Sequence, residues 1–363
     1  MKNDISIGII TINDLENYGN RLQNYALFVL LNNYAITSTI TLRFAASLKS
    51  DFKNNIDPLK DYILRHMGTM RGLRAERRFH FRRFTQQYVP ANSLFVSVKG
   101  VTSTGIKKLE YVAIGSDQVW NDRWLTPQGL SLRLGSFVEE STRIISYAAS
   151  FGINTVKKES AVVFRRYLPR LRAISVREDR AKEMIEELTG LEATVVLDPT
   201  LMLTADRWRT ITRGFVPEND RYVLTYFLGK PSEAQEHTIQ EYAKAHGCRV
   251  RRLMDFRDPE TYVAGPQDFV ELFSKAEYVF ADSYHACCFS LLFHKQFTVF
   301  NRAGTEGKAN MNSRMETLFR LFELDSVMMD DGLSPEIDYG NVDRLLEQHR
   351  AESQAWLDKA MQD

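Results

Sequence analysis

The chain predicts an α/β protein built from two Rossmann-like domains. Three observations lead there. Short apolar runs alternate with amphipathic helical segments along most of the 363 residues. That alternation halts near residues 205–220, where Arg213-Gly214, Pro217 and Asn219-Asp220 cluster, and then starts again. The polar clusters follow the apolar runs directly, at the carboxyl ends of expected strands.

The first unit opens with an isoleucine-rich run, Ile5 to Ile12, as expected of a buried parallel strand. A polar loop follows. Leu22, Ala26, Val29 and Leu30 then recur at helical spacing over about Asn20 to Leu31. Residues 60 to 90 read as a basic helical segment. Further strands are expected at Tyr111 to Ile114, Arg143 to Ala149, Ala173 to Val176 and Thr194 to Leu197. The second unit runs from a strand at Tyr222 to Leu228 through strands at Arg249 to Met254, Tyr278 to Ala281 and Phe297 to Phe300. Helices are expected between them, and a charged helix from Val342 to Met361 closes the chain. This divides the sequence into a first domain at 1–208, a second at 209–340 and a terminal helix at 341–363.

Composition narrows the function. The hydrophobic fraction of 44% suits a globular core, and the net charge of +1 provides no global field for nucleic acid. Three cysteines, two of them adjacent, make no disulfide framework and suit a reducing compartment. There is no C-x-x-C or H-E-x-x-H, so no metal site is indicated. The N-terminus lacks a signal-peptide cleavage pattern, and no run is long enough to span a bilayer. A cytoplasmic protein is the expectation.

The chemistry-bearing residues lie in the strand-end clusters. Asp282-Ser283-Tyr284-His285 breaks a strand and starts a helix. It places one histidine where backbone N–H groups and the helix dipole favour an anion. A capping or core histidine is the alternative reading. Arg177 follows a buried strand, where a guanidinium suits carboxylate or phosphate; an ion pair with Glu178 or Asp179 is the alternative. Asn312-Ser313-Arg314 offers a cap, free N–H groups and a cation at another helix start, which suits a phosphate; an ordinary capped helix is the alternative reading. Asp117 suits a base or a sugar-hydroxyl holder, or a capping residue. Asp198-Pro199-Thr200 reads as turn architecture. The arginine-rich stretch from Arg65 to Arg83 reads as a solvated helix face or as a contact for anionic lipid.

Together these segments resemble the polysaccharide pyruvyl transferase family. Asn17-Tyr18-Gly19-Asn20-Arg21-Leu22-Gln23-Asn24 opens the resemblance. Gly115-Ser116-Asp117-Gln118-Val119-Trp120-Asn121, Ser146 to Gly152, Ser175-Val176-Arg177-Glu178 and Leu197 to Thr200 continue it. Asp282-Ser283-Tyr284-His285 and Asn312-Ser313-Arg314 complete it. Tyr284 stands where the family pattern has Phe, and Ala286 where it has a small residue such as Gly.

The resemblance implies a GT-B-like fold and transfer of pyruvate from phosphoenolpyruvate to a sugar of a bacterial surface glycan, as a ketal. Phosphoenolpyruvate is then a donor substrate, and no cofactor is implied. The acceptor is expected to be a lipid-linked oligosaccharide, which would bring the Arg65–Arg83 segment near the inner face of a membrane. His285, Asp117 and Arg177 take the catalytic roles: proton donor or phosphate clamp, base, and anion clamp. Asn312, Ser313 and Arg314 assist at the donor, with Ser283 and Tyr284 beside them. Asn17, Tyr18, Gly19, Asn20, Ser116 and Gln118 face the acceptor. Two rivals share the fold: a glycosyltransferase with a nucleotide-sugar donor, and a glycan-binding relative without activity.

Overall fold

The computed structural model describes residues 6–12, 16–43, 58–97, 100–101, 109–301, 313–324 and 327–362. Its strands fall into two sheets. The first holds β1 (Ser6–Ile10), β2 (Ile36–Arg43), β3 (Ala91–Ser97), β4 (Gly100–Val101), β5 (Tyr111–Ile114), β6 (Arg143–Ala149), β7 (Leu171–Val176) and β8 (Thr194–Val195). Their order is β4-β3-β2-β1-β5-β6-β7-β8, parallel throughout except for β3 with β4. The second holds β9 (Tyr222–Tyr226), β10 (Arg249–Leu253), β11 (Tyr278–Ala281), β12 (Phe297–Phe300) and β13 (Met328–Met329), all parallel in the order β10-β9-β11-β12-β13.

Each sheet has one switch point, where the chain reverses its direction of travel across the sheet. It lies between β1 and β5 in the first and between β9 and β11 in the second. Crevices open at such points outside the carboxyl ends of the strands. The loops after β1, β5, β9 and β11 therefore lie where ligands bind in this architecture.

Local chemistry sets the helices. Asn17 caps the helix Tyr18–Leu31 by accepting from the Asn20 N–H. Ser232 and Gln235 form a reciprocal capping box at the start of Glu233–Ala245. Gly190, with φ of 70°, ends Asp179–Thr189 in the left-handed conformation. β2 and β3 are absent from the sequence reading. β2, Ile-Thr-Ser-Thr-Ile-Thr-Leu-Arg, looks polar, yet Thr37, Ser38 and Thr39 are buried. Thr39 donates to Asn24 Oδ1 at 3.0 Å and Thr37 to the Ala35 carbonyl at 3.0 Å, so the hydroxyls are satisfied inside.

The two sheets share one apolar core. Tyr18 stacks on Phe269 at 4.8 Å between ring centroids, and Trp208 sits between Tyr25 and Phe289 at 5.5 and 4.9 Å. The helix Tyr339–Met361 returns from the second unit to the first. Its Arg350 donates to the carbonyls of Leu201 and Leu203, and Ser353 Oγ accepts from the Leu197 N–H at 3.0 Å. Among the described residues, no helix is long and apolar enough to cross a membrane.

Candidate active site

The carboxyl ends of β5, β7 and β8 supply a buried charged cluster. Arg177 follows β7 and is its centre. It donates to Asp117 Oδ1 at 2.9 Å and to Asp198 Oδ2 at 2.7 Å, and its Nε lies 3.9 Å from Glu178 Oε2. The Tyr284 ring packs under the guanidinium, 4.2 Å from its carbon. Asp117 also accepts from Asn20 Nδ2 and lies 3.4 Å from Arg314 Nη1. Asp198 further accepts from Ser116 Oγ and, on its other oxygen, from Thr200 N–H and Oγ. Gln23 accepts from the Ser116 N–H at 2.8 Å and so ties the loop after β5 to the first helix.

The second unit contributes His285. The turn after β11 reaches it by a sequence of local choices. Asp282 turns back to accept from the N–H groups of Leu228 and Gly229 at 2.6 and 2.8 Å, bridging the second switch point. Ser283 stands at the helix N-cap position without a side-chain bond, and the helix Tyr284–Leu292 begins. His285 Nε2 then lies 3.9 Å from Asp198 Oδ2. Gly19 packs directly against the imidazole, since a β-carbon there would stand 2.1 Å from Nδ1. Arg314 arrives from the start of the helix Ser313–Phe322.

Burial and charge divide these groups electrostatically. Desolvation raises the Asp198 carboxyl, but Arg177, His285 and the Thr200 bonds outweigh it and hold the group down at about 2. Asp117 is lowered likewise, desolvation being overcome by Arg177, His285 and Arg314. His285 is pushed below the ordinary histidine range by burial, helped by Arg177 and Arg314 and opposed by Asp198 and Asp117. Arg314 is lowered by burial and by Arg177. Its Nε, His285 Nε2 and Ser313 Oγ are buried with no hydrogen-bond partner among the described residues. Such groups cost free energy unless something fills their bonding capacity.

The structure gives several of the expected site residues partners within the protein. Arg177 is spent on Asp117 and Asp198, not on Glu178 or Asp179 alone, so its guanidinium ends are committed within the protein. Arg314 leaves its Nε without a hydrogen-bond partner among the described residues, as Arg177 does its own Nε, while the two ends of the Arg177 guanidinium are taken by Asp117 and Asp198. Asp117 has its oxygens engaged by Arg177, Asn20 and Arg314. Tyr284 supports Arg177. Tyr18 faces the interdomain core, where its hydroxyl donates to the Ala264 carbonyl at 2.7 Å. Gln118 accepts from Asn121 Nδ2 at 2.7 Å and packs on Gly152. Asn17 caps its helix. Asn312 lies outside the described residues. Asp198 holds the Thr200 turn as its sequence context suggests, while its second oxygen joins the cluster. Its place just beyond a parallel strand was the available signal.

A cavity of about 910 Å³ opens in the second unit, beyond the carboxyl ends of β9 and β10. Its wall includes Leu228 and Gly229, which Asp282 holds, and it is lined further by Phe227, Lys230, Asp255 and Phe256. No set of His, Cys, Asp or Glu that could hold a metal occurs among the described residues.

Two facing parallel-sheet domains, with charged loops meeting at both switch points, define a GT-B-type α/β protein. Solved structures of that type are similar over nearly the whole chain. A Listeria monocytogenes protein described as a UDP-N-acetylglucosamine 2-epimerase matches with a TM-score of 0.50 and 11% identity, covering 97% of this chain and 91% of its own. The UDP-GlcNAc 2-epimerase of Methanocaldococcus jannaschii gives 0.42 and 12%, with 95% and 99% covered. An alpha-glucosyltransferase in complex with UDP and DNA gives 0.40 and 11%, with 97% and 95% covered. No curated protein matches. The family model described as polysaccharide pyruvyl transferase matches residues 17–304, and the chain belongs to that family of transferases.

Proposed function

We propose that the chain transfers the pyruvate unit of phosphoenolpyruvate to two hydroxyls of one sugar, forming a ketal and releasing phosphate. The observation that carries this reading is the set of unfilled buried donors. Arg314 Nε, Ser313 Oγ and His285 Nε2 stand at two helix starts around one charged cluster. A small polyanion matches such donors through charge-assisted bonds and helix N-termini.

In this reading Arg314 and Ser313 hold the donor, and Arg177 keeps Asp117 and Asp198 in place beneath it. His285 is neutral in the empty site. The donor's negative charge raises it toward imidazolium, the form a general acid needs. His285 protonates the methylene carbon, which becomes the methyl group. One sugar oxygen bonds to the central carbon, the bond from that carbon to the phosphate oxygen breaks, and the second sugar oxygen closes the ring. Of the two hydroxyl protons, one returns to His285 and the other leaves with phosphate. The acceptor, part of a surface glycan or its lipid-linked precursor, is assigned in this reading to the cavity walled by Leu228 and Gly229, where Phe227 and Phe256 offer apolar faces.

The test is incubation with phosphoenolpyruvate and a panel of synthetic glycan acceptors, following phosphate release and product mass. A mass gain of pyruvate less water is expected. Consumption of a nucleotide sugar alone would replace this reading with glycosyl transfer. Absence of turnover and of donor binding would leave a glycan-binding protein.

A further inference from the structure

Five of the ten large apolar side chains left exposed among the described residues fall within one stretch of twelve: Leu59, Tyr62, Ile63, Met67 and Met70, each 50–63% exposed. A contiguous patch of this kind marks an interaction surface. Residues 58–64 are helical, and Leu59, Tyr62 and Ile63 share one face by their spacing. The helix is held with that face outward. Its acid, Asp61, is buried and takes Arg78 and Arg82 from the helix Met70–Tyr88, with the Arg82 contact at 2.6 Å. This inverts the usual order, in which apolar residues turn in and the acid turns out.

Several arginines of the stretch are engaged within the protein, while Arg71, Arg74 and Arg83 are exposed. Arg77 is buried, with its Nε 3.4 Å from the Tyr18 hydroxyl, and Arg65 lies over the Phe79 ring at 4.0 Å. What remains outside is of one sign. Lys60 and Arg71 are exposed beside the apolar face, with no acidic partner among the described residues.

We propose that the outer face of residues 59–70 docks on an anionic bilayer, its apolar side chains entering the headgroup boundary and its cations meeting lipid phosphates. Apolar insertion together with positive charge is the combination that binds such surfaces. A second copy of the chain fits less well, because a twofold pairing would press Lys60 and Arg71 toward their own counterparts. The surface also neighbours the cavity, since Arg74 lies 5.2 Å from the ring centroid of Phe256 on the cavity wall.

The experiment is sedimentation of the full chain with vesicles of phosphatidylcholine, with and without phosphatidylglycerol. The chain binds the anionic vesicles and is released by raised salt. The double variant Ile63→Asp/Met67→Asp lowers the bound fraction roughly tenfold. The charge variant Lys60→Glu/Arg71→Glu lowers it on anionic vesicles while circular dichroism stays unchanged. Equal sedimentation of wild type and both variants would overturn the proposal. So would a dimer in analytical ultracentrifugation that Ile63→Asp/Met67→Asp converts to monomer, which would assign the face to self-association.

Discussion

Gly19 and His285 touch across the two domains with no room for a side chain between them. A β-carbon on Gly19 would stand 2.1 Å from Nδ1 and 2.7 Å from Cγ of the imidazole. The histidine is boxed in, so the ring itself would have to move. Gly19→Ala is therefore expected to displace His285 from Asp198 and lower kcat by two orders of magnitude or more, on the scale of losing a general acid. The overpacking cost is about 1–3 kcal/mol. Steady-state kinetics and thermal melting of the same sample check both. Near-normal kcat would mean that the position of His285 does not matter to turnover.

Arg314 and Arg177 are expected to separate function from stability. Arg314 is buried, lowered by its surroundings and open at Nε, so the empty protein gains little from its charge. Arg314→Gln should raise the KM for phosphoenolpyruvate by roughly a hundredfold, the loss of a strong charge-assisted contact, and leave the melting temperature unchanged or higher. A fall in melting temperature with unchanged KM would make Arg314 a structural residue.

Arg177 is the opposite case. It balances Asp117 and Asp198, both buried, with Glu178 nearby. Arg177→Ala leaves those carboxylates uncompensated, at a cost of about 3–5 kcal/mol. Chemical denaturation should show a lower midpoint at neutral pH, and the deficit should shrink in acid as the carboxylates protonate. A midpoint that matches wild type would refute the central place given to this ion pair.

These contrasts show why the site was only partly legible in the sequence. The strand-then-cluster pattern located the loops after β1, β5, β7 and β11, because parallel strands deliver their carboxyl ends to one edge. It could not assign partners. Whether Arg177 pairs with adjacent Glu178 or with Asp198, twenty-one residues on, depends on β8 lying beside β7. The same gap hid Asp198, which local chemistry explained well enough as a turn. In the fold, β2 was missed because its threonines look like surface until Asn24 and the Ala35 carbonyl are seen to satisfy them. The arginine run is divided: Arg71, Arg74 and Arg83 are exposed, as charge suggests, while Asp61 and Tyr18 draw Arg77, Arg78 and Arg82 inward.

Trp208 predicts how the two units unfold. It is fully buried, donates from Nε1 to the Thr200 carbonyl at 3.0 Å and packs on Tyr25 and Phe289 from the two sides. A shared apolar core makes the units one cooperative block, so calorimetry should give a single transition. Trp208→Ala should cost about 3–5 kcal/mol and split that transition in two. Two transitions in the wild type would contradict the shared core.

The buried charges also fix the response to acid. His285 in the folded chain lies below its unfolded value of about 6.5. As pH drops through that value, the unfolded chain takes up a proton that the folded chain resists, and stability falls. Asp198, held at about 2, behaves differently: its contribution is present above its unfolded value and is lost as pH falls from about 4 toward 2. That contribution is on the order of 2 kcal/mol. Stability should therefore decline in two limbs, and His285→Gln should remove the upper one and shrink the lower, since His285 helps hold Asp198 down. Donor binding reverses the bias on His285, so phosphoenolpyruvate should bind with proton uptake near neutral pH and more tightly at pH 6 than at pH 8. Titration calorimetry in two buffers of different ionisation enthalpy measures that uptake directly. Binding without proton uptake, or uptake that survives in His285→Gln, would remove His285 from the donor site.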